Sequence, residues 1–353
     1  SLRALTSGWL AGDVVEVRRS SDSATQGFTA SQITNGEMLD WVTTPLWTSA
    51  VNSSIDPYDT FTGASISGFS ATLAAGLGHG GFGGLTGTSG QTVSVAFDLV
   101  INSGSPAIAL RASKDSAVTQ SNAQVYTTSG SYTIDLVATA DFGFIGFSDA
   151  TVPCDFVVSN FEVTAITADG FVSTWYDQSG NANDATQATT TSQPKIVDAG
   201  VLVSDGIDFD GVDDFLDFGV IAASQPVTVF ATYTTSVNGS PIIGGDALNR
   251  FLGRRSTGGW IAYAGTVLSD GVHPTSKTLG TFLLNGVSSE IFGDGASVVS
   301  GDAGLLASIS LIGNNNTTAF LTGQADEIII YDSNQAANRA AIETNINDFY
   351  SIY

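Results

Sequence analysis

Short runs of alternating apolar and polar residues recur through almost the whole chain, and they constrain its fold more than any other feature. The runs are rich in β-branched residues and are bounded by Gly, Asn, Asp and Ser, a pattern typical of strands separated by turns. Their period of two predicts sheets with one face on a core, and therefore an all-β sandwich composition rather than an α/β one. Examples are residues 12–19, 92–101, 131–140, 155–166, 225–235, 278–286, 305–313 and 326–332.

One α-helix is predicted, at the C-terminus, in the run DSNQAANRAAIETNINDFYSIY (332–353). Asp332 and Gln335 have the spacing of a capping box, which predicts that the helix begins there. A stripe of apolar side chains follows at helical spacing, and we expect it to pack against a sandwich rather than to hold a cofactor. The stripe consists of Ile342, Ile346, Phe349, Tyr350 and Tyr353.

Charge excludes two classes of partner. The chain has 34 Asp and Glu against 11 Lys and Arg, for a net charge of −23. Such a chain repels phosphate backbones and anionic lipid, so we expect no nucleic acid and no membrane surface as partner. No apolar run approaches the roughly 20 residues that a membrane span needs, so no membrane insertion is expected. The acid excess suits divalent cations.

Cysteine usage and the first residue bear on the cellular setting. Cys154 is the only cysteine, so no internal disulfide can form, and its apolar neighbours predict a buried position. The 40 glycines fit a loop-rich protein that works outside a cell or on a particle. The chain starts at Ser1 without a visible signal peptide, so we expect either processing or further sequence upstream.

The order of the segments predicts one domain inserted into another, as the length of 353 residues allows. Residues 1–42 end in a polar stretch, and the run TADGFVSTWYDQSGN resumes the same style from residue 167. The intervening strands form a self-contained series. We therefore predict an outer domain of 1–42 and 168–353 and an inserted domain of 43–167, which a surface loop tolerates because closure entropy grows slowly with length.

The outer segments resemble a known family. SLRALTSGWLAGDVVEVRRSSDSATQGF, GFVSTWYDQSGNANDATQATTTSQPKIVDAGV and IDFDGVDDFLDFG are similar to the concanavalin A-like (laminin-G-like) sandwich of arabinofuranosidase B enzymes and of phage virion proteins. The ending ADEIIIYDSNQAANRAAIETNINDFYSIY and the hairpin NGVSSEIFGDGA (285–296) are typical of the phage proteins. The resemblance implies a concanavalin A-like β-sandwich with one C-terminal α-helix.

The predicted insert resembles the jelly-roll carbohydrate-binding modules that many glycan-active proteins carry. The similar runs are GQTVSVAFDLVINSG (90–104), GSYTIDLVATADFGFIGFSD (130–149) and CDFVVSNFEVTAI (154–166). This resemblance implies a second β-sandwich, a jelly roll, inside the first. It also implies that a Ca²⁺ ion can lie between the first and last strands of the insert.

The two resemblances together imply a bacteriophage virion surface protein, of the fibre or decoration type, that binds host or environmental glycans without catalysis. Its expected partners are other virion proteins, a cell-surface glycan and further copies of itself, and its expected location is the virion surface or the cell exterior. No cofactor is required, although a structural Ca²⁺ is compatible. Three alternatives stay open: an extracellular arabinofuranosidase-type hydrolase, a purely structural particle protein and a bacterial adhesin.

Residues 172–187, VSTWYDQSGNANDATQ, have the composition of an active site. In the catalytic interpretation Asp177 is a base and Ser179 a nucleophile, which requires a histidine within hydrogen-bond reach. The chain has two histidines, His79 in the predicted insert and His273 in a Gly-Val-His-Pro turn. Neither is placed beside this segment by its sequence, so the catalytic interpretation is not favoured.

The structural interpretation of the same segment is favoured. Its aromatic residues pack in or beside the sandwich, its polar residues hydrogen-bond turn amides, and its glycine supplies a positive φ. The aspartate is also expected to pair with an arginine of the RR dipeptide before residue 20. We predict a fold element composed of Arg18, Arg19, Trp175, Tyr176, Asp177, Gln178, Gly180 and Asn181.

No catalytic residue is predicted. Glycoside hydrolysis needs two carboxylates about 5 Å or about 6.5–9.5 Å apart, and among 34 acids the sequence points to no such pair. Glu290 lies in a predicted hairpin strand and Glu327 in a core-type strand. The arabinofuranosidase B enzymes carry cysteine bridges, which this chain cannot form, and their catalytic Glu and Asp find no matching positions. We therefore expect that the chain is not an enzyme.

Two acidic clusters are candidate Ca²⁺ sites. The run FDGVDDFLDFG (209–219) holds four aspartates in eight residues, although their spacing is not that of an EF-hand and a turn is the simpler interpretation. The second cluster combines the two ends of the predicted insert. The candidate ligands are Asp210 and Asp213 in the first cluster and Asp56, Asp59 and Asp155 in the second.

Aromatic side chains are the candidate sugar platforms, because a sugar offers an apolar face ringed by hydroxyl groups. The loop GLGHGGFGG (76–84) lacks the Gly-Lys-Ser/Thr of a phosphate loop and is interpreted as a ligand-contacting loop. Taken singly, each of these aromatic residues is more often part of a core. The predicted glycan contacts are Trp47, Tyr58, His79 and Phe82 in the insert and Trp260 and Tyr263 in the outer domain.

Overall fold

The structure of the protein is a computed structural model. Between residues 60 and 165, side chains are described for 94–103, 126–135 and 159–160, and the backbone alone for the other described positions. The described residues are 2–5, 9–21, 23–43, 60–65, 68–73, 79–87, 92–103, 108–113, 124–137, 142–148, 154–165, 168–204, 206–222, 225–245, 251–305, 308–315 and 318–353.

Strands make up most of the described secondary structure. They are β1 Asp13–Arg19, β2 Thr25–Thr29, β3 Thr60–Ser65, β4 Gly68–Leu73, β5 His79–Gly87, β6 Thr92–Ser103, β7 Ile108–Ser113, β8 Gln124–Tyr126, β9 Gly130–Val137, β10 Phe142–Ser148, β11 Cys154–Ala165, β12 Gly170–Trp175, β13 Ala185–Thr186, β14 Lys195–Asp198, β15 Val201–Leu202, β16 Ile207–Asp210, β17 Leu216–Ala222, β18 Val227–Thr234, β19 Pro241–Gly244, β20 Phe251–Arg254, β21 Trp260–Tyr263, β22 Val267–Asp270, β23 Thr278–Leu284, β24 Ser289–Gly293, β25 Ala296–Gly301, β26 Ser308–Ile312 and β27 Thr322–Tyr331. The α-helices are α1 Ala30–Thr34, α2 Glu37–Thr43 and α3 Arg339–Tyr350.

The chain divides into two compact units. The first consists of Ser1–Arg18, Thr25–Leu39 and Gly170–Tyr353, and the second of Arg19–Ala24 and Asp40–Asp169. The proposal that 43–167 is an independently folding insert in a domain of 1–42 and 168–353 stays a prediction.

The first unit is a β-sandwich of two antiparallel layers. In one layer the hydrogen-bonded order is β14, β16, β27, β18, β23, β24 and β25. In the other layer the order is β13, β17, β26, β19, β20, β21 and β22. Strand β12 pairs with both β13 and β14 and so connects the two layers.

Packing between the layers centres on Trp260 of β21, which is 2% exposed. Its indole lies against Gly280 of β23 and Gly293 of β24, which are cross-strand partners. A Cβ atom would lie 2.9 Å from the indole at Gly280 and 2.6 Å from it at Gly293, so the glycines leave the space that the ring fills. The predicted role of Trp260 as a sugar platform is therefore wrong, because the ring belongs to the core, the more frequent position for such a residue.

The second unit has two antiparallel sheets. One has the order β5, β10, β7, β8, and the other β3, β4, β11, β6, β9. Aromatic rings connect the sheets, since the ring of Phe97 in β6 lies 5.1 Å from that of Tyr126 in β8. Tyr132 of β9 completes the group, with its ring centroid 4.5 Å from that of Tyr126.

Helix α3 lies on the outer face of the central strands of the first unit. Ile346 is buried with Phe230 of β18 and Leu279 of β23, and Ile342 and Tyr350 pack against the same group. Strand β18 is therefore covered on both faces, which explains its nearly continuous buried sequence VTVFATYT. Polar contacts reinforce the docking, because Glu343 accepts a hydrogen bond from Thr281 Oγ1 at 2.7 Å and contacts Arg339.

Two details of the predicted helix are wrong. The helix begins at Arg339 rather than at Asp332, and its N-cap, Asn338, makes no side-chain capping bond. Phe349 and Tyr353, predicted to lie in the buried stripe, are 55% and 53% exposed.

These observations confirm the predicted fold class, an all-β sandwich protein with a C-terminal α-helix. In the part of the chain that the structure describes, no helix has the length and apolar character to cross a bilayer.

Candidate functional site

A cavity of about 710 Å³ lies in the first unit, between helix α3, the end of strand β27 and the segment that follows strand β12. Its wall combines apolar side chains with amides, carboxylates and a guanidinium group. The described residues of the wall are Arg3, Leu5, Trp175, Tyr176, Asp177, Gln178, Ser179, Asn181, Asn183, Ala185, Phe218, Ile221, Ile312, Ile328, Ile329, Ile330, Tyr331, Asp332, Asn338, Ala341, Ile342, Asn345 and Ile346.

The polar part of the cavity wall includes a tight turn built around Asp177. Its carboxylate accepts hydrogen bonds from Ser179 N (2.8 Å), Ser179 Oγ (2.8 Å) and Asn183 N (3.0 Å). Gly180 adopts a φ of +84°, a conformation that glycine reaches without steric cost. Asn181 Nδ2 donates to Ser179 Oγ at 2.9 Å. The turn therefore presents its amide and hydroxyl groups from a hydrogen-bonded frame.

These hydrogen bonds also determine the charge of Asp177. Burial raises the pKa of this carboxyl group, but the donated hydrogen bonds from Asn183 and Ser179 outweigh burial and hold the pKa below its ordinary value. Asp177 is therefore ionised at neutral pH. The expected pairing with Arg18 or Arg19 is wrong, because the turn itself binds the carboxylate.

The two arginines serve other contacts. Arg18 Nε donates to Gln193 Oε1 at 2.7 Å, and the guanidinium stacks over Phe171 at 4.5 Å. Arg19 Nη1 donates to Trp41 O at 3.0 Å and lies over that indole at 4.6 Å.

An ion pair ties the segment around Arg3 to strand β27 beside the cavity. Arg3 Nε and Nη2 donate to the two carboxylate oxygens of Glu327 at 2.7 and 3.0 Å, and Nη2 also donates to Asn345 Oδ1 at 2.9 Å. Burial lowers the pKa of Arg3, but the hydrogen bond and charge of Glu327 raise it above its ordinary value overall. Gln178 holds the same segment, donating to Arg3 O and accepting from Leu5 N, each at 2.9 Å.

The apolar part of the cavity wall includes strand residues together with Trp175. Phe218, Ile221, Ile312 and Ile328 line it. The Trp175 side chain is 4% exposed, and its Nε1–H has no hydrogen-bond partner among the described residues. A buried donor without a partner costs about 1–3 kcal/mol, so the protein retains this N–H at a cost.

The structure brings together part of the predicted set. Trp175, Tyr176, Asp177, Gln178 and Asn181 line the cavity. Sequence reasoning assigned them only a structural role and missed Arg3, Asn345 and the isoleucines of β27. No signal in the sequence connects Arg3 with Glu327, since 324 positions separate them.

Most of the remaining predicted glycan and metal residues have side chains that the structure does not describe. Tyr263, at the end of β21, is partly buried and does not line the cavity. Trp47, Asp56, Tyr58 and Asp59 lie outside the described residues, as do the side chains of His79, Phe82 and Asp155.

Three of the four clustered aspartates come together after β16. One oxygen from each of Asp210, Asp213 and Asp214 lies within 4.8 Å of the others. Asp210 Oδ1 accepts from the backbone of Val212 at 2.8 Å, as expected of a turn. Burial raises the pKa of Asp214 to about 7, and the neighbouring aspartates add to the rise. Carboxylate oxygens at this separation suit Ca²⁺, which takes hard oxygen ligands.

Adding Ca²⁺ is expected to raise the melting temperature if this cluster binds the ion, because a ligand that binds only the folded state stabilises it. At a concentration 100 times the Kd the gain is about 2.7 kcal/mol. Differential scanning calorimetry with 5 mM CaCl₂ or with EDTA checks this on the wild type and on Asp213→Asn. Equal melting temperatures for the wild type in both buffers contradict a Ca²⁺ site.

Comparison with known proteins gives little beyond this geometry. No family model matches the chain, and no curated protein matches it. Solved structures similar to it include Trypanosoma rangeli sialidase, with 17% identity and a TM-score of 0.37 over 49% of this chain and 31% of the sialidase. The same sialidase in complex with the inhibitor DANA has 16% identity and a TM-score of 0.36, over 48% of this chain and 30% of the other.

These matches correct one prediction. They are to an enzyme, which contradicts the expectation that the chain is not one, and we withdraw that expectation. The chain spans about a third of the sialidase it matches. With a TM-score of 0.37 the likeness carries no argument for sialidase activity in this chain.

Proposed function

We propose that the protein binds a glycan in the cavity between α3, β27 and the turn at 175–183. The observation that carries the proposal is that the wall combines apolar side chains with amides, hydroxyls and carboxylates. A sugar ring has complementary surfaces, with apolar C–H faces and a rim of hydroxyl groups. The volume of about 710 Å³ falls in the range of small-molecule sites, about 300–1,000 Å³.

Preorganisation supports the proposal. Asp177 is held by its own turn and Gln178 by the segment around Arg3, so these groups do not have to be ordered when a ligand enters. Rigid polar groups lose less conformational entropy on binding, which favours affinity. Trp175 is 4% exposed, so it shapes the wall of the cavity rather than offering an open aromatic face.

Hydrolysis of the bound glycan is the alternative activity to be measured alongside binding. Among the described residues of the wall, the carboxylates are Asp177 and Asp332. Asp177 is ionised and bound by three donors, a state suited to accepting hydrogen bonds rather than to giving a proton.

The concanavalin A-like relationship stays a prediction. The placement on a virion and the partners inferred from the sequence also stay predictions, and proteomics of purified particles can test these two.

Replacing Trp175 by phenylalanine is expected to weaken glycan binding at least fivefold, because the smaller ring changes the shape of the cavity wall. The free energy of unfolding is expected to change by about 1 kcal/mol or less. The phenyl ring keeps most of the apolar contact, and loss of the unpaired buried N–H offsets the smaller area. Binding is measured by calorimetry on the strongest hit of a glycan array, with reducing-sugar release followed in the same samples.

The matched control is Trp260→Phe, which alters an indole in the core and outside the cavity wall. It is expected to lower stability without changing affinity. Equal affinity of Trp175→Phe and the wild type argues against this cavity as the site. An array without any hit overturns the proposed function.

A further inference from the structure

Charge around the cavity restricts which glycans it can hold. The one guanidinium group among the described wall residues is that of Arg3, and the same wall contains two carboxylates, those of Asp177 and Asp332. Arg3 is already neutralised, because it donates to both carboxylate oxygens of Glu327. Among the described wall residues, an acidic sugar would therefore meet two carboxyl groups, and a guanidinium that is already bound to a carboxylate.

The partner of Arg3 is firmly held. The side chain of Glu327 is 1% exposed and that of Arg3 is 14% exposed, so the pair lies mostly out of water. Two parallel N–H···O bonds between a guanidinium and a carboxylate are both strong and directional. For a ligand carboxylate to take Arg3, it would have to break this two-bond ion pair and remove the guanidinium from the buried carboxylate of Glu327, which is strongly unfavourable.

The rest of the chain adds to this exclusion at longer range. The net charge of −23 produces a field that disfavours the approach of anions. Salt screens that field over about 8 Å at physiological ionic strength, whereas charges inside a partly buried cavity are screened much less. The exclusion of acidic glycans is therefore expected to have two components: a long-range one that salt weakens strongly and a local one that salt weakens much less.

We propose that the cavity selects neutral glycans and rejects their acidic counterparts, because Glu327 neutralises Arg3 while the wall also contains the carboxylates of Asp177 and Asp332. This inference rests on the proposed glycan-binding function and specifies its ligand class. A sialylated, uronic or sulfated glycan is expected to bind about tenfold more weakly than its uncharged match, the effect of one unfavourable charge interaction at close range.

The test is an array of matched pairs that differ only in charge. The pairs are α2,3-sialyl-N-acetyllactosamine with the methyl ester of its sialic acid, and trigalacturonic acid with its trimethyl ester, among further pairs of the same kind. Hits concentrated among the neutral members at both 50 and 500 mM NaCl support the inference. Hits mainly among the acidic members overturn it while leaving glycan binding intact, and an array without hits overturns both.

Variants that change single charges test which residues cause the selectivity for neutral glycans. Glu327→Gln keeps the shape of the side chain but returns one positive charge to the cavity, and the ratio of acidic to neutral affinity is expected to rise about tenfold. Asp332→Asn, at an exposed position of the wall, is expected to change the ratio in the same direction. The control Asp348→Asn changes the net charge equally at an exposed position of α3 outside the wall. A ratio that moves equally in all three variants overturns a local origin of the selectivity.

Discussion

Replacing Arg3 by methionine is expected to lower the free energy of unfolding by about 3 kcal/mol. The substitution removes the guanidinium that donates to Glu327 at 2.7 and 3.0 Å, and the carboxylate it leaves behind is 1% exposed. A buried charge that loses its partner keeps its desolvation cost without the compensating attraction. Equilibrium unfolding in guanidinium chloride measures the loss.

The double variant Arg3→Met, Glu327→Met distinguishes the contribution of the ion pair from that of the packing around residue 3. Replacing both charges by apolar side chains of similar size removes the desolvation cost as well as the attraction, so most of the lost stability is expected to return. If the double variant is as unstable as the single one, the loss comes from packing around residue 3 rather than from the buried carboxylate that has lost Arg3.

Lowering the pH from 6.5 to 4 is expected to reduce the free energy of unfolding by about 3 kcal/mol through His273. This side chain is 1% exposed, and burial lowers its pKa to about 4. Its Nε2 lies 2.6 Å from Tyr233 OH, and its Nδ1 lies 2.6 Å from Pro274 O, so the neutral ring accepts from the tyrosine and donates to the carbonyl.

The direction of this pH effect follows from the different pKa of His273 in the folded and unfolded states. The unfolded histidine takes up a proton near pH 6.5, whereas the folded one resists protonation until about pH 4. Stability from the neutral ring is therefore complete above pH 6.5 and is lost as the pH falls toward 4. The advantage of the wild type over His273→Gln should thus be about 2 kcal/mol smaller at pH 5 than at pH 7.5.

The control for this prediction is His79→Gln, the same change at the only other histidine of the chain. Unfolding curves in guanidinium chloride at both pH values are compared for the three proteins. A difference between wild type and His273→Gln that does not vary with pH would show that His273 titrates normally in the folded state.

Local patterns predicted the fold class correctly because alternation and turn residues act over a few positions. The C-terminal helix was also predicted, but its start was not, since a tertiary contact competes with the capping pattern. Thr228 of β18 donates to Ser333 O at 2.9 Å and accepts from Gln335 N at 3.0 Å. The backbone that a capping box would satisfy is thus held by a strand, and the helix begins later, at Arg339.

The same limit applies to the aromatic platform predicted at Trp260. Its burial depends on Gly280 and Gly293, which leave room for the indole only because β23 and β24 pair in one register. An aromatic residue that follows two glycines carries no information about such a distant pocket. Burial of a large side chain is decided by what lies opposite to it in the other layer.

The sequence by itself determined the sandwich class, the absence of an internal disulfide and the residues of the turn at 175–183, whose hydrogen bonds span two to seven positions. Only the tertiary structure decided that this turn borders a cavity. The cavity wall combines that turn with residues near positions 3, 328 and 342, and chain periodicity cannot encode a meeting of segments so far apart. The charge of the cavity was decided in the same way, because Arg3 is neutralised by a carboxylate 324 positions away.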